Sequence, residues 1–597
     1  MPEADLSGPE LRRRAVQAAL GEMPFDLLIR GGQVVDTALG EVRPADVGLV
    51  GPLIASVHAP GLRNDAAEVI EADGGYVAPG LIDSHMHVES SMVTPAEYAA
   101  AVLPRGVTTV LWDPHELANT HGADGVDWAA RAAAALPLRM RVLCPSSVPS
   151  APGYETAGGD LDAATVAELL ARPDLHGIGE LMSMQALLDG SDRFTGIVGA
   201  GLRAGKPVYG HARGLSGTAL QAYAAAGVHS DHELTSADDL LAKLRAGLRV
   251  ELRGSHDHLL PEFVAALNDL GFVPDSLSLC TDDVFPDDLL HGGGLDDVVR
   301  RLVGYGLDPV RALVAATGNA AAHAGRPDLG AVAAGRRADL VLFRDLCAFE
   351  ARLVLVDGRI VARAGRLTGR PAAAPAKLAA MPALPHYTAK DFRLDPGCDR
   401  GRVRLALIDR PRFTDWASVE AEVTGGGIDL PDGLTGMAVI NRYGGDPAPR
   451  LGLLRNWGRW EGVFGTTVSH DSHNLTLFGT GEHNMAVAAN ALADCGGGLV
   501  VVKDGAVREC LPLPLAGLIA DRPLAEVAAA FARIRAAMDE IVAWQPPYLV
   551  FKACFGASLI CNAGPHLSDR GIVDTHRGIR LPSPVLEPDA PLPWAAP

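Results

Sequence analysis

The sequence predicts an α/β fold: a (β/α)8 TIM-like barrel, a small β-sandwich domain built from both of its flanks, and a C-terminal α+β domain. Three observations carry this. Eight short apolar segments alternate with Ala-rich helical stretches between residues 77 and 282, the repeat that a parallel barrel needs. Short alternating segments with Gly, Asp and Pro punctuation stand on either side of that block, at 25–79 and 335–366. After residue 367 the composition turns to Pro and Ala (GRPAAAPAKLAAMPALP), as in a linker, and mixed strand and helix patterns resume beyond it. The expected boundaries are 1–78 plus 331–370 for the β-sandwich, 79–330 for the barrel, 371–389 for the linker and 390–597 for the last domain.

In order along the chain, residues 7–22 read as a helix, with Ser7 as its N-cap and Pro9 and Glu10 in its first turn. Hairpin-like segments follow (FDLLIRGGQVVD, ADVGLVGPLIASV, AEVIEADGGYVAPG), and GRRADLVLFRDL and ARLVLVDGRIVARAGR repeat the pattern later. The eight central strands are expected at 77–83, 106–112, 139–144, 175–180, 206–211, 227–232, 248–253 and 277–282, with helices such as 95–104, 124–136, 162–171, 214–226 and 235–246 between them. An open parallel sheet is the alternative. Polar residues at the strand C-termini favour the barrel, because that is where barrels place active sites.

Composition sets further bounds. The chain has 597 residues, 48% of them hydrophobic and 5% aromatic, enough for a sizeable core and about three domains. Its net charge of −20 argues against a nucleic-acid or anionic-membrane surface. Eight scattered cysteines form no Cys-x-x-Cys pair and read as reduced thiols of a cytoplasmic protein. The N-terminal stretch is charged without an apolar core, and no run approaches 18 apolar residues, so neither secretion nor membrane spanning is expected.

The chemistry gathers at the predicted strand ends. In PGLIDSHMHVESS, His85 and His87 stand two apart, so in an extended strand they share a face and aim at one point. His115 and Glu116 follow strand 2, Glu180 ends strand 4, His211 strand 5, His232 strand 6, and Asp282 and Asp283 strand 8. Such a nitrogen and oxygen set is large enough for two metal ions, with Glu180 offering one oxygen to each. Two ions clamping a hydroxide lower its pKa and make a nucleophile near neutral pH. In the C-terminal part, His470, Asp471 and His473 of SHDSHN read as a metal site, a lid group over the barrel mouth, or a solvated loop with an Asx-turn. Gly496–Gly498 lacks the following Lys-Ser or Lys-Thr of a phosphate loop.

These motifs resemble the amidohydrolase superfamily and, more closely, the bacterial adenine deaminases. The resemblance rests on PGLIDSHMHVESSMVTP, GVTTVLWDPHELANTHG, GIGELM, HARGLSG, GVHSDHE and CTDD; it covers roughly 25–365, and the SHDSHN region resembles that family's C-terminal domain. His-x-His alone is common; the pairing of HVESSM with DPHE is specific to this branch. The resemblance implies that His85 and His87 bind one ion, Glu180 bridges, His211 and His232 bind the second, and Asp282 binds the first while contacting the hydroxide. Glutamate at 180 argues against hydantoinase-like and dihydroorotase-like relatives, which typically place a carboxylated lysine there.

The implied reaction is attack on C6 of adenine, with Asp282 moving the proton and ammonia leaving to give hypoxanthine. Asp283 is assigned to the purine edge, and Ser90, Ser91 and Glu116 to substrate contact. Glu89 is a candidate proton donor or base-positioning group, and His115 a catalytic or ligand-orienting one. The family suggests Mn(II) or Fe(II), with Zn(II) as the alternative, and a homo-oligomer. Two departures bear on the substrate: Arg213 within His211-Ala212-Arg213-Gly214-Leu215, where the family usually shows His-x-Pro-Gly-Leu, and Leu252-Arg253-Gly254-Ser255, where it often shows Arg-Glu-Gly-Ser. The rival readings are a metal-dependent hydrolase of another purine, pyrimidine or cyclic amide, and an inactive scaffold of the same fold. The complete ligand set counts against the scaffold.

Overall fold

The computed structural model describes residues 3–369, 371, 378–545 and 549–595. The linker expected at 371–389 lies partly outside these residues, at 372–377. The first helix, α1 (Pro9–Leu20), begins after Gly8 and has no side-chain cap. Ser7 is not that cap; its hydroxyl bonds Asp5 instead (2.7 Å), so Pro at the first helical position sets the start.

Five strands follow: β1 (Phe25–Asp36), β2 (Glu41–Val50), β3 (Leu53–His58), β4 (Ala66–Glu71) and β5 (Tyr76–Pro79). Then come eight strands separated by helices: β6 (Leu81–Met86), β7 (Val107–Trp112), β8 (Arg139–Val142), β9 (Ile178–Leu181), β10 (Val208–Gly210), β11 (Ser230–Asp231), β12 (Arg249–Arg253) and β13 (Leu277–Cys280). Four more, β14 (Leu340–Phe343), β15 (Ala351–Val356), β16 (Arg359–Arg363) and β17 (Arg366–Leu367), return to the first group. β14 pairs antiparallel with β5, so a nine-stranded sheet joins segments from both sides of the central block. Leu27, Val47, Val77, Leu340 and Leu355 fill its apolar face.

The strand expected at 77–83 is two strands, β5 and β6, belonging to different sheets. Gly80 is the break. A Cβ there would lie 2.1 Å from the Thr108 hydroxyl, so only glycine lets the chain pass β7 this closely. The eight central strands form three parallel groups, β6-β7-β8, β9-β10 and β11-β12-β13. Single bridges link these groups, Cys144 to Ile178 and Met86 to Asp282, and the His229 N–H donates to the Val208 carbonyl (3.0 Å). The helical stretch His115–Ala134 is broken at Gly122 (φ +58°), so a short helix beginning at His115 precedes the one expected at 124–136, which runs from just after Gly122 to Ala134.

Beyond residue 390 a ten-stranded, mainly antiparallel sheet carries the helix Glu482–Cys495, whose Met485, Ala489 and Leu492 pack on Leu477 and Val500. This part is fused to the central block through apolar contact. Phe285 packs against Phe531, Phe551 and Phe555 with ring centroids 5.3–6.3 Å apart.

Lys243, fully buried on the helix Ala237–Arg245, pins β11 by ion pairs to Asp231 (2.8 Å) and Asp239 (3.0 Å) and by a bond to the Glu233 carbonyl (2.7 Å). Lys243→Met strands the Asp231 carboxylate in an apolar setting. The expected loss is about 3–5 kcal/mol, since removing one partner leaves a buried charge unpaired. Chemical denaturation checks it; an unchanged midpoint would show that Asp231 is satisfied without Lys243.

Candidate active site

The ends of β6, β9, β10, β11 and β13 bring six side chains to one buried point. His85 and His87 alternate along the end of β6 as the period of two requires, and their Nε2 atoms lie 3.1 Å apart. Glu180, on β9, stands between two histidine pairs. Its Oε1 lies 3.3 Å from His87 Nε2 and 3.7 Å from His85 Nε2; its Oε2 lies 2.6 Å from His211 Nδ1 and 3.2 Å from His232 Nε2. Asp282 closes the first pair, with Oδ1 3.5 Å from His87 and 3.8 Å from His85. It sits at φ +59°, a left-handed conformation costly for a non-glycine residue. That turn directs its carboxylate inward.

These separations test the metal reading. Donors about 2.1 Å from a tetrahedral ion lie roughly 3.4 Å from each other, beyond most hydrogen bonds. Most spacings here, 3.1–3.8 Å, are of that kind, and the donors are nitrogen and oxygen only. His85, His87 and Glu180 form one donor triad, and Glu180, His211 and His232 a second. Burial, with His232 and His87 beside it, pushes His85 down to about 3, so its imidazole is neutral and able to ligate. Burial opposes ionisation of Glu180, but His232 and the bonds from His211 and His87 outweigh it and hold the carboxylate charged. The residues fit divalent cations.

Carboxylates behind the ligands fix their aim. His87 Nδ1 donates to the Asp113 carbonyl (2.9 Å), leaving Nε2 for the site. The Asp113 side chain accepts from the Glu180 backbone N–H (2.7 Å). Gly179 makes room for it, since a Cβ there would lie 2.2 Å from the Asp113 carboxylate. Asp83 accepts from the Thr281 N–H (3.0 Å) and hydroxyl (2.6 Å), beside Asp282. Glu251 faces His232 Nδ1 (3.6 Å) and His323 Nε2 (2.5 Å). Asp113, Asp83, Glu251 and His323 were not singled out from the sequence. Asp113 lies inside the quoted DPHE motif and Asp83 one residue from a Ser-His, but a carboxylate that braces a ligand leaves no spacing signature.

A cavity of about 110 Å³ opens over the cluster, lined among others by His87, Ser90, His115, Asp282, Asp283 and Phe285. Ser90 and Asp283 stand together at its edge, the Ser90 hydroxyl 2.5 Å from Asp283, and Glu116, buried behind them, lies 3.3 Å from the same hydroxyl. Glu89 and Ser91 do not reach it. Glu89 turns away to accept from Trp112 Nε1 (2.9 Å) and the Leu117 N–H (3.4 Å), and the Ser91 hydroxyl is spent on the Val88 carbonyl (2.6 Å). The reason is local: residues 89–91 form a 3-10 turn, which ends the alternation of faces that holds on the strand. Burial and the nearby Glu116 raise Glu89 to about 7. Neither Glu89 nor Ser91, expected to act on or contact the substrate, is among the residues that line the cavity.

The two departures are answered by charge. Arg253 donates to Asp282 (2.8 Å) and Glu233 (2.7 Å), and Arg213 lies 3.6 Å from Glu233 with its guanidinium over Phe413. Glu233, at the end of the quoted GVHSDHE run, thus offsets both arginines. Burial opposes ionisation of Asp282, but Arg253 and the bond from His87 outweigh it and keep it well below the usual carboxylate range.

The C-terminal part supplies the opposite wall, with Arg412, His470, Asp471, Lys552, Phe555 and Asn562. The SHDSHN segment is not a solvated loop: Ser469, Asp471 and His473 are buried. His115 Nε2 lies 3.6 Å from Asp471, across the cavity.

The amidohydrolase family model covers residues 76–361, and the adenine deaminase C-terminal domain covers residues 411–578. Adenine deaminase 2 of Rhizobium meliloti (strain 1021) is 61% identical over 98% of both chains. Adenine deaminase of Klebsiella pneumoniae (strain 342) is 50% identical over 95% of both, and that of Moorella thermoacetica (strain ATCC 39073 / JCM 9320) is 38% identical over 95% of this chain and 97% of its own. A solved structure, N-isopropylammelide isopropylaminohydrolase from Burkholderia multivorans ATCC 17616, aligns with 57% of this chain and 99% of its own, at TM-score 0.42 and 20% identity. The chain belongs to the adenine deaminase family of amidohydrolases.

Proposed function

We propose that the protein hydrolyses adenine to hypoxanthine and ammonia at a centre of two divalent cations. One observation supports the pair above all others: the two donor triads share Glu180, which turns one oxygen to each. His85, His87 and Asp282 would hold one ion and His211 and His232 the second. When bound, such ions supply Lewis acidity that makes water a competent nucleophile near neutral pH. Donors without thiolate suit Mn(II), Fe(II) and Zn(II), and the family resemblance favours the first two.

The chain's own groups manage the protons and the base. Asp282, charged and held by Arg253, takes the proton of the attacking water and delivers it to the purine as the C6–N bond breaks and ammonia leaves. Asp283, fixed by Ser90, meets the polar edge of the base, with Glu116 behind it. Phe285, Val468, Phe555 and Leu559 supply apolar walls that exclude bulk water. We also read the eight central strands, whose three groups are joined by two bridges and by the His229–Val208 hydrogen bond, as a closed (β/α)8 barrel spanning 79–330, with 1–78 plus 331–370 and 390–597 as the flanking and C-terminal domains.

The test is ammonia release from adenine by protein loaded anaerobically with Mn(II) or Fe(II), with metal counted on the same sample. Turnover with at least two ions per chain is expected. Full loading without turnover on adenine would overturn the substrate, and absence of stoichiometric metal would overturn the centre.

A further inference from the structure

The SHDSHN segment brings a third donor set into the cavity. His115 Nε2 and His470 Nδ1 face the same oxygen, Asp471 Oδ1, at 3.6 and 3.4 Å. Both distances exceed an ordinary hydrogen bond but match the edge of a tetrahedron whose centre lies about 2.1 Å from each donor. The side chains of His115 and Asp471 are 4% and 1% exposed. Among the described residues, neither ring nitrogen of His115 nor Oδ2 of Asp471 has a hydrogen-bond partner. His115 Nδ1 faces Glu180 (3.6 Å) and Asp113 (3.7 Å), but Nε2 of His115 and Oδ2 of Asp471 belong to this cluster; buried polar atoms are rarely left so, and the two point to a missing ligand.

The cluster is also built to stay in place. His115 opens the helix His115–Ala134 directly after Pro114. The 469–474 segment is tied at both ends. The Ser469 hydroxyl bonds those of Ser558 (2.6 Å) and Thr476 (2.8 Å), the His470 N–H donates to the Phe555 carbonyl (2.8 Å), and Asn474 reaches the Thr156 carbonyl (2.9 Å). Fixed donors lower the entropic cost of capturing an ion.

We infer that His115, His470 and Asp471 bind a third divalent cation, beside the Glu180-bridged pair and separate from it. The donor chemistry suits Mn(II), Fe(II) or Zn(II). Three protein ligands leave a position open, and all three residues line the cavity, so that position faces the space where the base binds. A water or a ring nitrogen of the purine fills it. The C-terminal part then contributes a ligand-binding element and not only a wall.

Metal titration of the whole chain tests this. Protein stripped by chelator is loaded anaerobically with increasing Mn(II), separated from free ion, and counted. The wild type is expected to take up a third equivalent. His470→Ala and Asp471→Asn are each expected to bind one ion fewer, and the near-isosteric Asp471→Asn, with circular dichroism and thermal midpoint measured beside it, separates loss of a ligand from loss of fold. Saturation of the wild type at two ions overturns the site, as does equal uptake by wild type and well-folded variants. His87→Ala separates this site from the pair. An ion that survives His87→Ala and disappears with Asp471→Asn supports the third site even if the pair is absent.

Discussion

Asp282→Asn is expected to abolish adenine turnover while leaving bound metal near its wild-type level. The carboxylate does two things at one position. Oδ1 faces His85 and His87, where it is a candidate metal ligand, and Oδ2 accepts from Arg253 (2.8 Å) and the Ser255 hydroxyl (3.0 Å). Asparagine keeps one oxygen and the shape, so the remaining donors, His85, His87 and Glu180, still offer a site. What it cannot do is accept a proton. Loss of a positioned general base costs roughly 10²–10⁴-fold, and in the proposed reaction this one also delivers the proton to the purine, so kcat is expected to fall by at least the upper part of that range. The readouts are kcat and the metal count on one preparation. Turnover within a few-fold of wild type would remove Asp282 from proton transfer. A parallel loss of metal would make it chiefly a ligand.

The same residues show where sequence reading succeeds and where it stops. All six residues expected to ligate metal lie at strand ends, and such positions are legible because a strand's period of two fixes which side chains share a face. His85 and His87 are the plain case. One turn later the pattern stops carrying direction, since Glu89 and Ser91 stand in a 3-10 turn whose backbone, not its residue types, decides which way they point. Ser7 failed for a related reason, since Pro9 moved the helix start past the candidate cap. The braces were invisible for a different one. Asp113 holds Glu180 across 67 residues and Glu251 holds His323 across 72, so no local pattern records either contact. Asp471 against His115 is the extreme, two segments more than 350 residues apart meeting at 3.6 Å.

Glu180→Gln carries the other large expected effect, and it distinguishes a shared ligand from one that serves a single ion. Its carboxylate is the only donor common to both triads, and it faces five imidazoles, those of the two pairs and His115, with one negative charge. Glutamine removes that charge and replaces one oxygen with an NH2 group, which is a donor and cannot ligate. Whichever way the amide turns, one histidine pair meets a hydrogen-bond donor where it had an oxygen. Both ions therefore weaken together, one by loss of an oxygen and both by loss of the charge that offset their repulsion. The expected result is a coupled fall to below one ion per chain under conditions that load the wild type, with turnover lost to background. The backbone stays in place, because the Glu180 N–H remains bonded to Asp113, so circular dichroism of the stripped proteins is expected to be unchanged. If Glu180→Gln lost one ion and kept the other at full affinity, the carboxylate would serve one metal only, and the bridged pair would give way to two independent sites.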